Sequence, residues 1–160
     1  MRIWPICATA ETITGLRHSR IIRVTDMSDF KKKIQDIIAQ RQLTSCMNDT
    51  KWNELRTAMT EEMPFPPPYS VKFLDCAAPV PPDTHHTGDW HYVYAIDGEA
   101  FNGAYAVEWI KIVPKLIKPK GRLIPPDITD ASAELIDILK KHSIPYEEKD
   151  GEYIIYGYKA

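Results

Sequence analysis

A chain of 160 residues is long enough for one domain with a full hydrophobic core and short for two of ordinary size. With 44% hydrophobic and 26% charged residues it is composed like a globular protein, which excludes wholesale disorder. A net charge of -2 excludes the strongly basic surface on which duplex binding rests, so no nucleic-acid partner is expected.

Residues 1–26 read as a weakly patterned N-terminal arm, with one short strand candidate at Arg20-Ile21-Ile22-Arg23-Val24. The start imitates a signal peptide, with Arg2, an apolar stretch and Ala8-Thr9-Ala10, but the stretch is short and Pro5 interrupts it. No segment approaches the ~20 apolar residues that a membrane-crossing helix needs. The expectation is a cytoplasmic protein with no membrane partner.

Residues 27–160 read as a single α+β domain. Ser28 caps a first helix running to about Gln42, with Phe30, Ile34, Ile37 and Ile38 on one face. A second helix starts at Asn48 or Asp49, either of which can accept from free first-turn amides, and carries Trp52, Leu55, Met59 and Met63. Pro64 ends it, and Pro66-Pro67-Pro68 stiffens the connection to the next element. Tyr69 to Leu74 alternates apolar and polar residues as a half-buried strand does, and Trp90 to Ile96 reads as a second strand. After turns at Asp97-Gly98 and Asn102-Gly103, Tyr105 to Val113 is apolar on both faces, which places it centrally in the sheet. Pro114 to Pro126 reads as a basic crossover, and Asp130 caps a third helix with Ala131, Leu135, Ile138 and Leu139 inward. A closing hairpin joins Tyr146–Lys149 to Glu152–Tyr158 through Asp150-Gly151, a pair suited to the type I′ turn. Segregated helices and strands predict an antiparallel sheet of about five strands with about three helices mainly on one face.

Charge is uneven along the chain: residues 1–45 carry +4, residues 46–112 carry -6 and residues 113–160 are balanced. The acidic middle suggests a face for a basic partner, against the plainer reading of solvated acidic loops. Cys7, Cys46 and Cys76 are odd in number and widely spaced, which reads as three reduced thiols rather than a disulfide framework.

The cluster Asp83-Thr84-His85-His86-Thr87-Gly88-Asp89-Trp90-His91 is the one place where side chains of metal-ligand type crowd together. His85, His86, His91 and Asp89 are the residues that would serve a metal-dependent or hydrolytic enzyme. Adjacent His85 and His86 diverge, and the spacing fits no dedicated metal motif, so neither a metal nor a cofactor is expected. Gly-x-Ser-x-Gly and Walker-type loops are absent, and no catalytic residue is assigned. Trp90, Tyr92, Tyr94, Tyr105, Trp109, Tyr153, Tyr156 and Tyr158 cluster in the sequence without interleaved Lys and Arg, which favours core and protein-interface roles over base stacking.

The stretches Met47-Asn48-Asp49-Thr50-Lys51-Trp52-Asn53-Glu54-Leu55-Arg56, Pro64-Phe65-Pro66-Pro67-Pro68, Gly88-Asp89-Trp90, Val107-Glu108-Trp109-Ile110 and Ile155-Tyr156-Gly157-Tyr158 resemble an uncharacterised bacterial family classed as a domain of unknown function. Gly121-Arg122-Leu123 and Ile144-Pro145-Tyr146-Glu147-Glu148 belong to the same likeness, which spans Met47 to Tyr158 and assigns no catalytic residue. In general character the chain is similar to small immunity proteins that neutralise bacterial toxins. That likeness implies a protein partner, such as a basic toxin domain, and the clustered aromatics and carboxylates make Trp52, Asp89, Trp90, Glu108, Trp109, Tyr156 and Tyr158 the interface candidates.

Overall fold

The computed structural model of the protein describes residues 25–79, 89–94 and 103–160. The strand expected at Arg20–Val24, the histidines His85 and His86, and the Asp97-Gly98 turn lie outside these residues.

Three helices form where apolar spacing predicts them. Helix α1 spans Thr25–Gln40, so Ser28 lies inside its first turn rather than capping it. Helix α2 spans Asp49–Glu61 and is capped by Asn48, whose side chain accepts from the Lys51 amide at 2.9 Å. Helix α3 spans Ser132–Lys141 and follows Asp130, whose carboxylate accepts from the Ser132 amide at 2.9 Å. The strands are β1 (Thr44–Ser45), β2 (Tyr69–Phe73), β3 (Val107–Ile112), β4 (Lys115–Lys118), β5 (Asp127–Asp130), β6 (Glu147–Lys149), β7 (Glu152–Tyr156) and β8 (Tyr158–Lys159).

The principal sheet has four strands in the order β2-β3-β7-β6, all antiparallel, with β3 inside it as its two apolar faces require. β1 pairs with β8 and β4 with β5 in separate two-stranded ribbons. The fold is therefore α+β, as expected, but its strands are divided among three sheets. One reason lies at Trp90, where a 3-10 turn over Trp90–Tyr92 replaces the start of the expected strand. Asp89 turns the chain there by accepting from the His91 amide at 2.9 Å. The buried Trp90 ring donates from Nε1 to the Pro67 carbonyl at 2.9 Å, which pins it beneath the proline connector. The other reason is the Pro114–Pro126 segment, which returns on itself to build the β4–β5 ribbon instead of crossing the sheet.

Strand register sets the core. Val71, Ile110 and Ile155 lie in one cross-strand row, and Tyr69, Ile112 and Tyr153 in the next row on the same face. Helices α2 and α3 cover this face with Trp52, Leu55, Met59, Leu135 and Leu139, all in one apolar cluster. Each aliphatic side chain fully buried there contributes roughly 1.5–3 kcal/mol. Helix α1 builds a smaller cluster at the end of the sheet, where Ile34 meets Leu74 and Ala106 with Phe30, Tyr105 and Tyr158 around them. Asp150 and Gly151 both have positive φ, 55° and 77°, as the type I′ turn between β6 and β7 demands.

Cys46 is a free thiol, whereas the buried Cys76 is disulfide-bonded, which corrects the expectation of three reduced cysteines. Spacing along a chain does not report which sulfurs the fold brings together. No helix among the described residues is long and apolar enough to cross a membrane.

Candidate functional site

Because side chains alternate along a strand, the residues between the core rows point to the opposite face of the sheet. That face is half-open at Lys72, Trp109, Lys111, Ile154 and Tyr156 and closed at Ser70, which is buried. Lys72, Trp109 and Tyr156 occupy one cross-strand row, and Ser70, Lys111, Ile154 and Glu147 the next. Trp109 and Tyr156 are paired directly across β3 and β7, and both are half-buried. Lys111 and Glu152 close one side of the pair with an ion pair of 3.1 Å. On the other side the Lys159 ammonium stands 4.2 Å from the Tyr156 ring centre and also pairs with Glu147.

Glu108 enters this face through an irregularity. The register shifts between Lys72 and Phe73, whose partners are Trp109 and Val107, so Glu108 is the extra residue of a β-bulge. Its carboxylate receives Arg41 and Lys72, each at 2.5 Å, and only 14% of the side chain is exposed. Burial pushes the Glu108 pKa upward, but hydrogen bonds from Arg41 and Lys72 outweigh it and hold the carboxyl below its ordinary range. The same bond raises the Arg41 guanidinium further above its already high value. Tyr156 shifts upward through burial first and the neighbouring Glu147 charge second.

The structure separates the seven residues singled out in the sequence. Trp109 and Tyr156 share the open face, with Glu108 beside them. Trp52 and Trp90 are each 2% exposed and belong to the core, where Trp52 packs edge-on against Tyr94 at 5.1 Å and Trp90 meets Tyr69 at 4.6 Å. They support a surface and do not form one. Tyr158 seals the α1 cluster, donating from its hydroxyl to the Tyr105 carbonyl at 2.8 Å. Asp89 is exposed but tied to the helix-covered side, where the Tyr69 hydroxyl donates to its carbonyl at 3.2 Å.

The histidine cluster is partly visible. His91 Nδ1 lies 3.1 Å from Asp89 Oδ1, and both side chains are mostly exposed. Among the described residues no three His, Cys, Asp or Glu side chains gather closely enough to hold a metal ion. His85 and His86 fall outside the described residues.

The acidic block of the sequence also folds differently from its linear appearance. Asp75 pairs with Lys33 at 3.3 Å, Glu62 with Lys141 at 2.8 Å and His142 at 3.0 Å, and Glu108 with Arg41. Lys33, Arg41 and Lys141 come from the two flanking thirds of the chain, so part of the block is neutralised across the fold. Sequence reasoning missed Arg41, Lys72, Lys111 and Ile154 as members of the open face. The alternation in Tyr69–Leu74 held the signal for Lys72, whereas Arg41 reaches Glu108 only through the fold.

The fold and the face together define a small α+β protein whose sheet is covered by helices on one side and presents a framed aromatic pair on the other. The chain belongs to the family of unknown function DUF6678, whose model matches residues 34–160. No curated protein and no solved structure matches it.

Proposed function

We propose that this protein binds another protein and neutralises it, in the manner of an immunity protein acting on a bacterial toxin. The observation that carries the reading is the half-buried pair Trp109 and Tyr156, in direct register on the sheet face opposite the core. Large amphipathic aromatics held rigid by neighbours, within a rim of mixed charge, are the usual energetic centre of a protein interface. Lys72, Lys111, Glu152, Glu147 and Lys159 supply that rim. Charge pairing around the aromatics keeps their rotamers fixed before a partner arrives, which lowers the ordering cost of association. The partner's contact surface would meet this mixed-charge face, with Asp89 a separate acidic point on the helix-covered side. Action in the cytoplasm is part of the proposal.

The test is co-expression with the product of the reading frame adjacent to this gene, scored by cell survival and by calorimetric affinity. Tyr156→Ala and Trp109→Ala are each expected to cost about 2 kcal/mol or more of binding, roughly thirtyfold in affinity. Unchanged circular dichroism and urea midpoint identify variants that remain folded. Folded variants that protect and bind as the natural chain does would remove this face from any interface.

A further inference from the structure

The β4–β5 ribbon is unlike the rest of the molecule. Every residue from Ile117 to Asp130 is exposed. The two strands pair only with each other, and the ribbon is rooted by the Ala131 amide on the Pro114 carbonyl at 2.8 Å. Four large apolar side chains stand open on it: Ile117 at 55% exposure, Ile124 at 58%, Ile128 at 61% and Leu123 at 96%. Leu123 and Ile124 occupy the connecting loop, and Ile117 and Ile128 face one another across the strands. Leaving four such side chains in water forgoes a hydrophobic gain, which marks the ribbon as a contact element.

Its charges are sorted. The ribbon from Lys115 to Asp130 holds four cations (Lys115, Lys118, Lys120, Arg122) and two carboxylates (Asp127, Asp130), a balance of +2. With -2 for the whole chain, the remainder carries -4. Both carboxylates belong to the paired stem and each faces a lysine, Asp130 with Lys115 at 3.8 Å and Asp127 with Lys120 at 2.6 Å. Lys118 and Arg122 form no ion pair among the described residues, and the loop itself contains no acid. The tip therefore presents Leu123 and Ile124 with free basic groups immediately behind them.

We infer that this ribbon docks the protein reversibly on an anionic bilayer surface, with Leu123 and Ile124 entering the headgroup boundary and Lys118 and Arg122 meeting lipid phosphates. Apolar side chains at a basic tip match the two attractions that such a surface offers. A projecting tip touches a flat protein surface only at its summit, whereas a fluid bilayer closes around it. The acidic remainder of the molecule is repelled by the same surface, so the field turns the ribbon toward it. Binding is peripheral and involves no spanning segment. It is independent of the toxin-neutralising reading.

The experiment is co-sedimentation of the full chain with vesicles of phosphatidylcholine alone and of phosphatidylcholine mixed with phosphatidylglycerol, at low and high salt. The expected result is binding to the mixed vesicles only, weakened by salt. Leu123→Ser with Ile124→Ser, and separately Lys118→Ser with Arg122→Ser, should each reduce partition by about tenfold or more. These side chains are exposed, so both double variants should keep the natural circular dichroism spectrum and thermal midpoint. Absence of binding to the mixed vesicles, equal binding to neutral vesicles, or unchanged binding by the folded variants would overturn the inference. The first of these outcomes would return the tip to contact with a protein groove.

Discussion

At the scale of single residues, Gly157 shows how a position with no side chain can govern the site. A Cβ placed there would lie 2.1 Å from the Val107 carbonyl oxygen and 3.0 Å from the Trp52 ring. The Gly157 amide donates to the Glu108 carbonyl at 2.9 Å, and its own carbonyl accepts from Cys46 at 2.8 Å. The missing side chain thus lets the turn after β7 lie against the strand that carries Glu108 and Trp109. Gly157→Ala should destabilise the fold by about 2–3 kcal/mol, because backbone and a buried indole must both move. Urea unfolding measures this, and a loss under ~0.5 kcal/mol would mean that the close approach relaxes freely. Tyr156-Gly157-Tyr158 is visible in the sequence as a motif, yet nothing there says that its glycine is steric. Trp52 and Trp90 teach the converse. Their residue type fits an interface as well as a core, and only Pro67, Tyr94 and Tyr69 around them decide between the two.

At the scale of elements, the sequence was informative wherever one local cause sufficed. Asn48 starts α2, Asp150-Gly151 closes β6 on β7, and two-faced apolarity puts β3 inside the sheet. It misled where two local signals competed. Aromatic alternation after Gly88 suggested a strand, but the Asp89 cap and the buried Trp90 ring win and make a 3-10 turn. Proline content in Pro114–Pro126 suggested a crossover, although those prolines sit at strand ends and in the loop, where a missing amide costs nothing. The open face itself was half-legible, since Trp109 and Tyr156 were candidates but their register was not. Strand β7 is the element on which the sheet depends, because it pairs with β3 on one side and β6 on the other and buries Tyr153 and Ile155. A chain ending at Lys149 loses that strand and the β8 partner of β1 as well. It should show no cooperative thermal transition by circular dichroism, and a sharp transition would demonstrate that the helices and β2–β3 suffice.

For the whole molecule, the notable relation is between linear charge blocks and folded pairing. The +4 of residues 1–45 and the -6 of residues 46–112 meet in Lys33–Asp75 and Arg41–Glu108, so the chain's charge asymmetry is partly spent on closing α1 against the sheet. Glu108 is the centre of this closure, since it also holds Lys72 from β2. Reversing it to lysine would set three cations together, which makes that substitution a test of folding rather than of binding. Its carboxyl is held below the ordinary value of 4.5, with burial opposing the shift and the Arg41 and Lys72 hydrogen bonds overcoming it. A carboxylate of this kind contributes its stability in full above the unfolded-state pKa and loses it as pH falls through the lower folded-state value. Glu108→Gln keeps the shape and removes the charge. Because Arg41 is 43% exposed and water screens that arm, the expected cost near pH 7 is about 1–2 kcal/mol rather than the value of a fully buried pair. Urea titrations from about pH 7 to about pH 3 should show the gap between natural and variant chains closing as the natural Glu108 takes up its proton. The stability that Glu62, Asp130 and Glu147 contribute, each also held low by its partners, is lost from both chains alike as pH falls, and the difference between the chains isolates Glu108. A gap that stays constant over the whole range would show that the Glu108 charge contributes nothing to holding α1 on the sheet, and that the Ile34, Leu74 and Ala106 cluster and the Lys33–Asp75 pair hold it without Glu108.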